Sequence, residues 1–170
     1  RFLMKINEIF KYDLGDLTQK WFGTNDQRHP GVKQIVDKGD IFVAGKVIAL
    51  HNTTTPYLYH PLTPPDIRSV LTKKDWSRVV GFHTRNAPHR AHEFIMVEAL
   101  RRCSGDGLLI SPILGPKKPG DLQTEPLLES HAALLQSQQF PGDRALLSPF
   151  ESYPRYSGPR EAVFTALCRK

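Results

Sequence analysis

The chain has 170 residues and a formal net charge of +6 at pH 7, with 39% hydrophobic and 24% charged residues. That composition is typical of a soluble globular protein, and no apolar run is long enough for a membrane span. The charge fits either an ordinary solvated basic surface or a polyanionic substrate. Nucleic acid is the weaker interpretation, since no RNP motif, zinc finger or basic run with interleaved aromatics is present. The two cysteines, Cys103 and Cys168, form no C-x-x-C pair, which argues against a zinc site or disulfide framework and favours a reducing compartment, the cytoplasm.

The first part of the chain is typical of the end of a small β-rich module. Short helices are predicted over residues 16–22 and 32–38, each stopped by a glycine. The β-branched, apolar run over residues 41–50 predicts a strand with a bend at Gly45. Residues 6–12 show no clean period, so no element is predicted there.

A proline-rich connection over residues 51–65 follows this module. Thr63 fits an N-cap, with Pro64 at the first helical position and Asp66 in the first turn, which predicts a helix to about residue 74. We therefore predict two domains, residues 1–56 and residues 57–170.

Strands and helices alternate through the second domain. Strands are predicted at residues 78–82, 107–114 and 144–148, and helices at 87–102, 127–139 and from 158 onward. Because this alternation implies a parallel sheet with right-handed crossovers, the predicted fold class is α/β.

The turn after the first of these strands holds the densest set of polar side chains. Thr84, Arg85 and Asn86 occupy the turn, and Asn86 is placed to cap the helix that His89 and His92 open. The helical period puts both histidines on the apolar face, toward the carboxyl ends of the strands. Open α/β sheets bind ligands there, and a helix start offers N–H groups to anions, so we predict a polyanion site.

Other interpretations of these residues stay open. The two histidines could be hydrogen-bonded core residues, and Arg85 could be an ordinary surface residue. An H-x-x-H spacing could also suggest zinc, but the H-E-x-x-H pattern and a following acidic ligand are missing. No metal site is therefore predicted.

The stretch from His83 to His92 resembles the Q-T-R-N-P-x-H-R-A-H signature of the sulfate adenylyltransferase (ATP sulfurylase) family. Further segments resemble family segments in the same order: Phe22–Asp26 with His29–Val32, Thr63–Arg68, Gly115 with Lys118–Asp121, and Arg155–Ala162. The resemblance implies an incomplete, Rossmann-like nucleotidyltransferase domain with a parallel sheet, preceded by the C-terminal part of a β-rich PUA-like domain.

The same resemblance implies an activity in sulfate assimilation or sulfur metabolism. ATP and sulfate would give adenosine 5′-phosphosulfate and pyrophosphate, through in-line attack of sulfate on the α-phosphorus, with Mg²⁺ accompanying the ATP. His83 and Arg85 would bind sulfate. The implied catalytic residues are Thr84, Arg85, Asn86, His89 and His92, and these five together with His83 would bind ATP.

The chain departs from the family pattern at several points. His83 stands where the family has Gln, and Pro154 stands where many members have Met. The chain lacks an initiator Met and the family's G-R-D-H loop, so we expect it to be a fragment that is inactive alone. We expect the full-length protein to be a homo-oligomer with no nucleic-acid or membrane partner. The alternatives are a non-catalytic anion-binding fragment or paralogue, and an H-x-x-H nucleotidyltransferase with another acceptor.

Overall fold

The computed structural model describes residues 2–50, 61–116, 120–137 and 140–169. Its elements in chain order are β1 (Phe2–Lys11), α1 (Leu14–Phe22), α2 (Pro30–Lys38), β2 (Ile41–Ala49), α3 (Pro64–Lys73), β3 (Val79–Thr84), α4 (Arg90–Arg102), β4 (Gly107–Leu114), α5 (Thr124–Gln136), β5 (Ala145–Leu147), β6 (Phe150–Glu151) and α6 (Pro159–Leu167).

The chain divides into two compact units. Unit 1 comprises Arg1–Thr54 and Pro154–Lys170, and unit 2 comprises Thr55–Tyr153. Residues 51–60 of the predicted connection over 51–65, and with them the predicted domain boundary after residue 56, lie outside the described residues. The domain division at that boundary stays a prediction.

Unit 1 contains an antiparallel pair, β1 and β2, of which β1 was not predicted. Ile6 pairs with Gly45 while Glu8 pairs with Ala44, so β1 carries a bulge between them. A Cβ on Gly45 would collide with the carbonyl oxygen of Lys5. The bend predicted at Gly45 therefore corresponds to a close backbone approach opposite the bulge.

The first two helices of unit 1, α1 and α2, confirm the predicted pair, and each begins two residues before its predicted start. For α2, the early start has a visible cause. That difference comes from His29, which caps α2: its Nδ1 accepts from the N–H of Gly31 at 3.2 Å and of Val32 at 3.4 Å. A histidine N-cap at position 29 was not predicted. Pro30 then takes the first helical position, where its missing N–H costs nothing.

The last helix, α6, also belongs to unit 1. It ends at Leu167, whereas the prediction carried it to the end of the chain. The Glu161 carboxylate accepts from the N–H groups of Arg155 at 2.8 Å and Ser157 at 3.1 Å, which fixes the segment before the helix. His29 Nε2 donates to the Tyr156 carbonyl oxygen at 3.1 Å.

Unit 2 is built on a parallel sheet in which β4 is central. Strand β3 pairs with one edge of β4, and β5 and β6 pair with the other. The α/β fold class with a parallel sheet is therefore confirmed. Strand β4 is buried along nearly its whole length, as expected for a strand covered on both faces.

Side chains from the sheet and two helices form the core of unit 2. Because side chains alternate along a strand, Val80 and Phe82 share a face with Leu108 and Ile110. Both α4 and α5 pack on that face. The buried cluster consists of Met96, Leu100, Leu108, Ile110, Leu134 and Phe140.

Helix α3 has the predicted start. Thr63 Oγ1 accepts from the N–H of Asp66 at 3.4 Å, and the Asp66 carboxylate accepts from the N–H of Thr63 at 3.0 Å, which completes a capping box.

Helix α4 begins at Arg90, and the prediction of a start at residue 87 was wrong. Pro88 disfavours helical backbone at Ala87, and His89 is extended, with φ −146° and ψ 172°. His89 is thus the N-cap residue, and Asn86 does not cap this helix.

Two other predictions needed adjustment. Helix α5 runs from Thr124 to Gln136, three residues earlier at its start than predicted. The predicted strand over residues 144–148 is β5, and a second short strand, β6, follows after Pro149, which has no N–H for the ladder. Among the described residues, no helix combines the length and apolarity needed to cross a bilayer.

Candidate functional site

The predicted polar turn lies at the carboxyl end of β3. Thr84, the last residue of the strand, is 8% exposed, and its Oγ1 accepts from the N–H of Asn86 at 3.1 Å. Asn86 itself is exposed. The hydroxyl of Thr84 therefore shapes the turn, while the amide side chain of Asn86 is accessible to a ligand.

Arg85 forms an ion pair with Asp121, which lies in the loop between β4 and α5. Its Nη2 is 2.7 Å from Asp121 Oδ2, and the two side chains are 32% and 19% exposed. A guanidinium is a planar group with five N–H donors, and this contact with the carboxylate orients it. Lys118, from the same predicted loop segment, lies outside the described residues.

His89 and His92 form a stacked pair with ring centroids 3.8 Å apart. His92 is half-buried and packs edge-on against Phe82, whereas His89 is exposed. Burial, and secondarily the neighbouring His89, lower the pKa of His92, while the backbone of Ala87 acts in the opposite direction. His92 is therefore neutral at pH 7 and offers one N–H rather than a positive charge.

The inward placement of the histidine pair was predicted from a helix starting at residue 87. The structure gives His92 that placement, because it shares a face with Met96 and contacts the core residue Phe82. His89 precedes the helix and is held by stacking on His92 instead.

His83 lies on the opposite face of β3 from His92. Phe82 faces the core on the side of α4, so His83, the next residue, faces the other side. There its ring meets Phe150 of β6 edge-on, with centroids 6.2 Å apart. The predicted site residues thus lie around the end of one strand, on two faces.

A fourth histidine of the site, His131, contacts the turn and was not predicted. His131 of α5 is fully buried, and its Nε2 lies 3.2 Å from the carbonyl oxygen of Asn86. Its burial could have been predicted, because Leu127, His131 and Leu134 share one face of a helix. Its contact depends on how α5 crosses the sheet, which no local pattern encodes.

The site is rich in donors and poor in carboxylates. In the described part of the chain, no group of three or more His, Cys, Asp or Glu side chains is placed to hold a metal ion. Imidazole, guanidinium, amide and hydroxyl groups around one strand end can neutralise and orient anions.

Two family models match this chain. Residues 60–170 match the model described as ATP-sulfurylase, and residues 2–52 match a PUA-like domain. The first match contains every residue of the site.

Curated relatives match along nearly the whole chain. A sulfate adenylyltransferase of Symbiobacterium thermophilum is 41% identical over 99% of this chain and 42% of its own length. One of Ignicoccus hospitalis is 37% identical over 99% of this chain and 43% of its own length. The chain thus spans about two fifths of the length of these relatives.

One solved structure supports the fold alone. It is described as a hexameric APS kinase from Thiobacillus denitrificans, and it matches 76% of this chain and 25% of its own with a TM-score of 0.54 and 20% identity.

Proposed function

The chain belongs to the ATP-sulfurylase family, and from that membership we propose that the full-length protein is a sulfate adenylyltransferase. A sulfate oxygen attacks the α-phosphorus of ATP in line, the bond from that phosphorus to the bridging oxygen breaks, and pyrophosphate leaves with the electron pair. The products are adenosine 5′-phosphosulfate and pyrophosphate, without a covalent enzyme intermediate. The observation that carries the proposal is the family match over residues 60–170, which includes the whole turn.

Sulfate would be bound by Arg85 and His83. The planar guanidinium fits a tetrahedral oxyanion, and Asp121 holds one of its nitrogens at 2.7 Å, which reduces the freedom that binding would cost. His83 takes the place of the family's Gln and can donate one hydrogen bond, as an amide can.

The nucleotide phosphates would be bound by Thr84, Asn86, His89 and His92, with contributions from Arg85 and His83. The stacked histidines lie on the face of β3 opposite His83. Sulfate and the ATP phosphates, which repel each other, could then approach the carboxyl end of β3 from its two faces. Positioning and charge neutralisation supply most of the catalysis in such transfers.

The neutral state of His92 refines its proposed role. A neutral imidazole stabilises charge on the α-phosphate or the leaving pyrophosphate as a hydrogen-bond donor. Mg²⁺ would enter with ATP as part of the substrate, held mainly by phosphate oxygens.

ATP as substrate favours action in the cytoplasm. We also propose that the full-length protein is a homo-oligomer, which native mass spectrometry would check.

Pyrophosphate release by the full-length protein tests the proposal. With Mg-ATP we expect release that depends on sulfate and that molybdate also supports. Release with another acceptor but not with sulfate would indicate a different nucleotidyltransferase. Binding of sulfate without any turnover would favour the non-catalytic alternative and contradict the proposed activity.

A further inference from the structure

His131 is a fully buried titratable side chain with no assigned task. It has 0% exposure and lies on α5 among Leu127, Leu128 and Leu134, which are buried as well. A buried imidazole must satisfy its polar atoms within the protein, because water does not reach it. Its hydrogen bonds therefore indicate which part of the structure this side chain holds in place.

The hydrogen bond from His131 to the Asn86 carbonyl oxygen fixes the tautomer of this ring. Nε2 lies 3.2 Å from the Asn86 carbonyl oxygen, and a carbonyl only accepts, so Nε2 carries the hydrogen. In the neutral ring Nδ1 is then a bare acceptor, and it has no hydrogen-bond partner among the described residues. Burial lowers the pKa of His131, ahead of an opposing effect from the Asn86 backbone, so the neutral ring is the form at pH 7.

This hydrogen bond holds a segment outside regular structure. Strand β3 ends at Thr84 and α4 begins at Arg90, with His89 as its N-cap, so residues 85–88 lie outside both elements. The Thr84 hydroxyl accepts from the Asn86 N–H at 3.1 Å. The Asn86 carbonyl oxygen accepts from His131 Nε2 at 3.2 Å and, at the longer distance of 3.5 Å, from the Thr84 hydroxyl. Both backbone groups of Asn86 are thus held by side chains.

We propose that His131 is a positioning residue for the adenylyl transfer: its Nε2–H fixes the Asn86 carbonyl, and with it the turn that carries Arg85 and Asn86. This inference rests on the proposed function, because the turn matters only if these side chains meet the reacting anions. A displacement of about 1 Å in such a turn can cost roughly 100-fold in rate.

Two substitutions and one matched control test this role in the full-length protein. His131→Gln can place an amide N–H near the position of Nε2, whereas His131→Leu fills the site without a donor. Leu127→Val alters the same buried face of α5 and changes no hydrogen-bonding side chain. We expect kcat to fall at least tenfold in His131→Leu, and to stay within about threefold of wild type in His131→Gln and Leu127→Val.

A purely structural role predicts a different pattern. If His131 acted only through stability, kcat measured well below the melting temperature would be equal in the Gln and Leu variants, and that result would overturn the proposal. Detection of the Nδ1–H tautomer of His131 by nitrogen NMR would overturn it as well.

The design also separates this inference from the proposed function. If the wild-type protein shows no sulfate-dependent turnover, the proposed function fails, and sulfate titration followed on the Arg85 and Asn86 amide resonances becomes the readout. At least tenfold weaker binding in His131→Leu, with binding within threefold in His131→Gln, would still support positioning. Equal binding in both variants would overturn it.

Discussion

The geometry of the Arg85 side chain depends on a second residue, Asp121. Its guanidinium meets the Asp121 carboxylate at 2.7 Å, and both groups are more than half buried. The pair restricts the plane of the guanidinium, so an anion would meet donors that already have a fixed orientation. A lysine side chain, which has the same charge but no planar guanidinium, should therefore be a poor substitute.

Arg85→Lys tests that expectation. A lysine ammonium keeps the charge but cannot bind a tetrahedral anion through two parallel N–H groups while it also meets Asp121. We expect kcat/KM for sulfate to fall at least about tenfold, measured by pyrophosphate release. Arg101→Lys, at the exposed end of α4, is the control and should leave it unchanged. Equal values for the two variants would exclude Arg85 as a sulfate ligand.

The two histidines with lowered pKa values make unit 2 sensitive to pH. The unfolded chain takes up these protons near pH ~6.5, while folded His92 and His131 take them up only at lower pH. The unfolded state therefore binds more protons in this range, so the free energy of unfolding should fall as pH drops below ~6.5 and level off below the folded pKa.

Urea unfolding between about pH 7.5 and 5 measures this loss, because carboxylates with lowered pKa values lose their contribution only at lower pH. His131→Leu should show a shallower decline than wild type, and Leu127→Val should keep the wild-type slope. A decline of the same steepness in His131→Leu would mean that His131 does not supply it.

Among the secondary-structure elements, the β1–β2 pair depends on one close backbone contact. Gly45 lies where a Cβ would meet the Lys5 carbonyl oxygen, next to the bulge between Ile6 and Glu8. Gly45→Ala should therefore force the strands apart and lower the free energy of unfolding of unit 1 by about 1–3 kcal/mol. Lys46→Ala, at the exposed neighbouring position of β2, is the control. Similar free energies of unfolding for the two variants in urea would contradict the claim that a Cβ at position 45 forces the strands apart.

Elements with strong local signals could be predicted from the sequence. The capping residue Thr63 marked the start of α3, and the continuous apolar run marked β4. Strand β1 was missed because both its faces mix apolar and polar residues, and a two-stranded pair imposes no clean alternation. The start of α4 was misplaced because helical periodicity outweighed the restriction that Pro88 places on Ala87.

The candidate site could be predicted in part. The turn residues were found because a run of donors after a buried strand is a local pattern. The partners of that turn, Asp121 and His131, come from later segments, and only tertiary structure brings them to Arg85 and Asn86. The placement of His83 and His92 on opposite faces of β3 was not predicted, because the predicted strand ended at residue 82 and so put His83 in the turn.

At the scale of the whole molecule, unit 1 draws on two distant parts of the chain. His29 joins them: its Nδ1 caps α2 and its Nε2 donates to the carbonyl of Tyr156 at 3.1 Å. Arg160 adds a bond from Nη1 to the Trp21 carbonyl at 3.1 Å. These contacts attach α6 and the segment before it to the N-terminal helices.

Two variants of His29 separate the cap on α2 from the hydrogen bond to Tyr156. His29→Asn can still cap α2 but is too short to reach Tyr156, whereas His29→Ala loses both interactions. We expect amide hydrogen exchange over residues 155–161 to accelerate in both variants. Exchange in α2 should accelerate only in His29→Ala, with a loss of about 1 kcal/mol in stability. Unchanged exchange over residues 155–161 in both would mean that His29 does not anchor this segment.

The discontinuity of unit 1 has a consequence during protein synthesis. Residues 55–153 must leave the ribosome before residues 154–169 can join the helices that preceded them. At ~5–20 residues per second, that delay is on the order of ten seconds. Side chains that remain exposed even in the finished unit, such as Phe2, Ile9 and Ile41, would be accessible throughout that interval. Unit 2 is continuous in sequence, so we expect it to fold first on the nascent chain. Its folding shortens the loop that unit 1 must close.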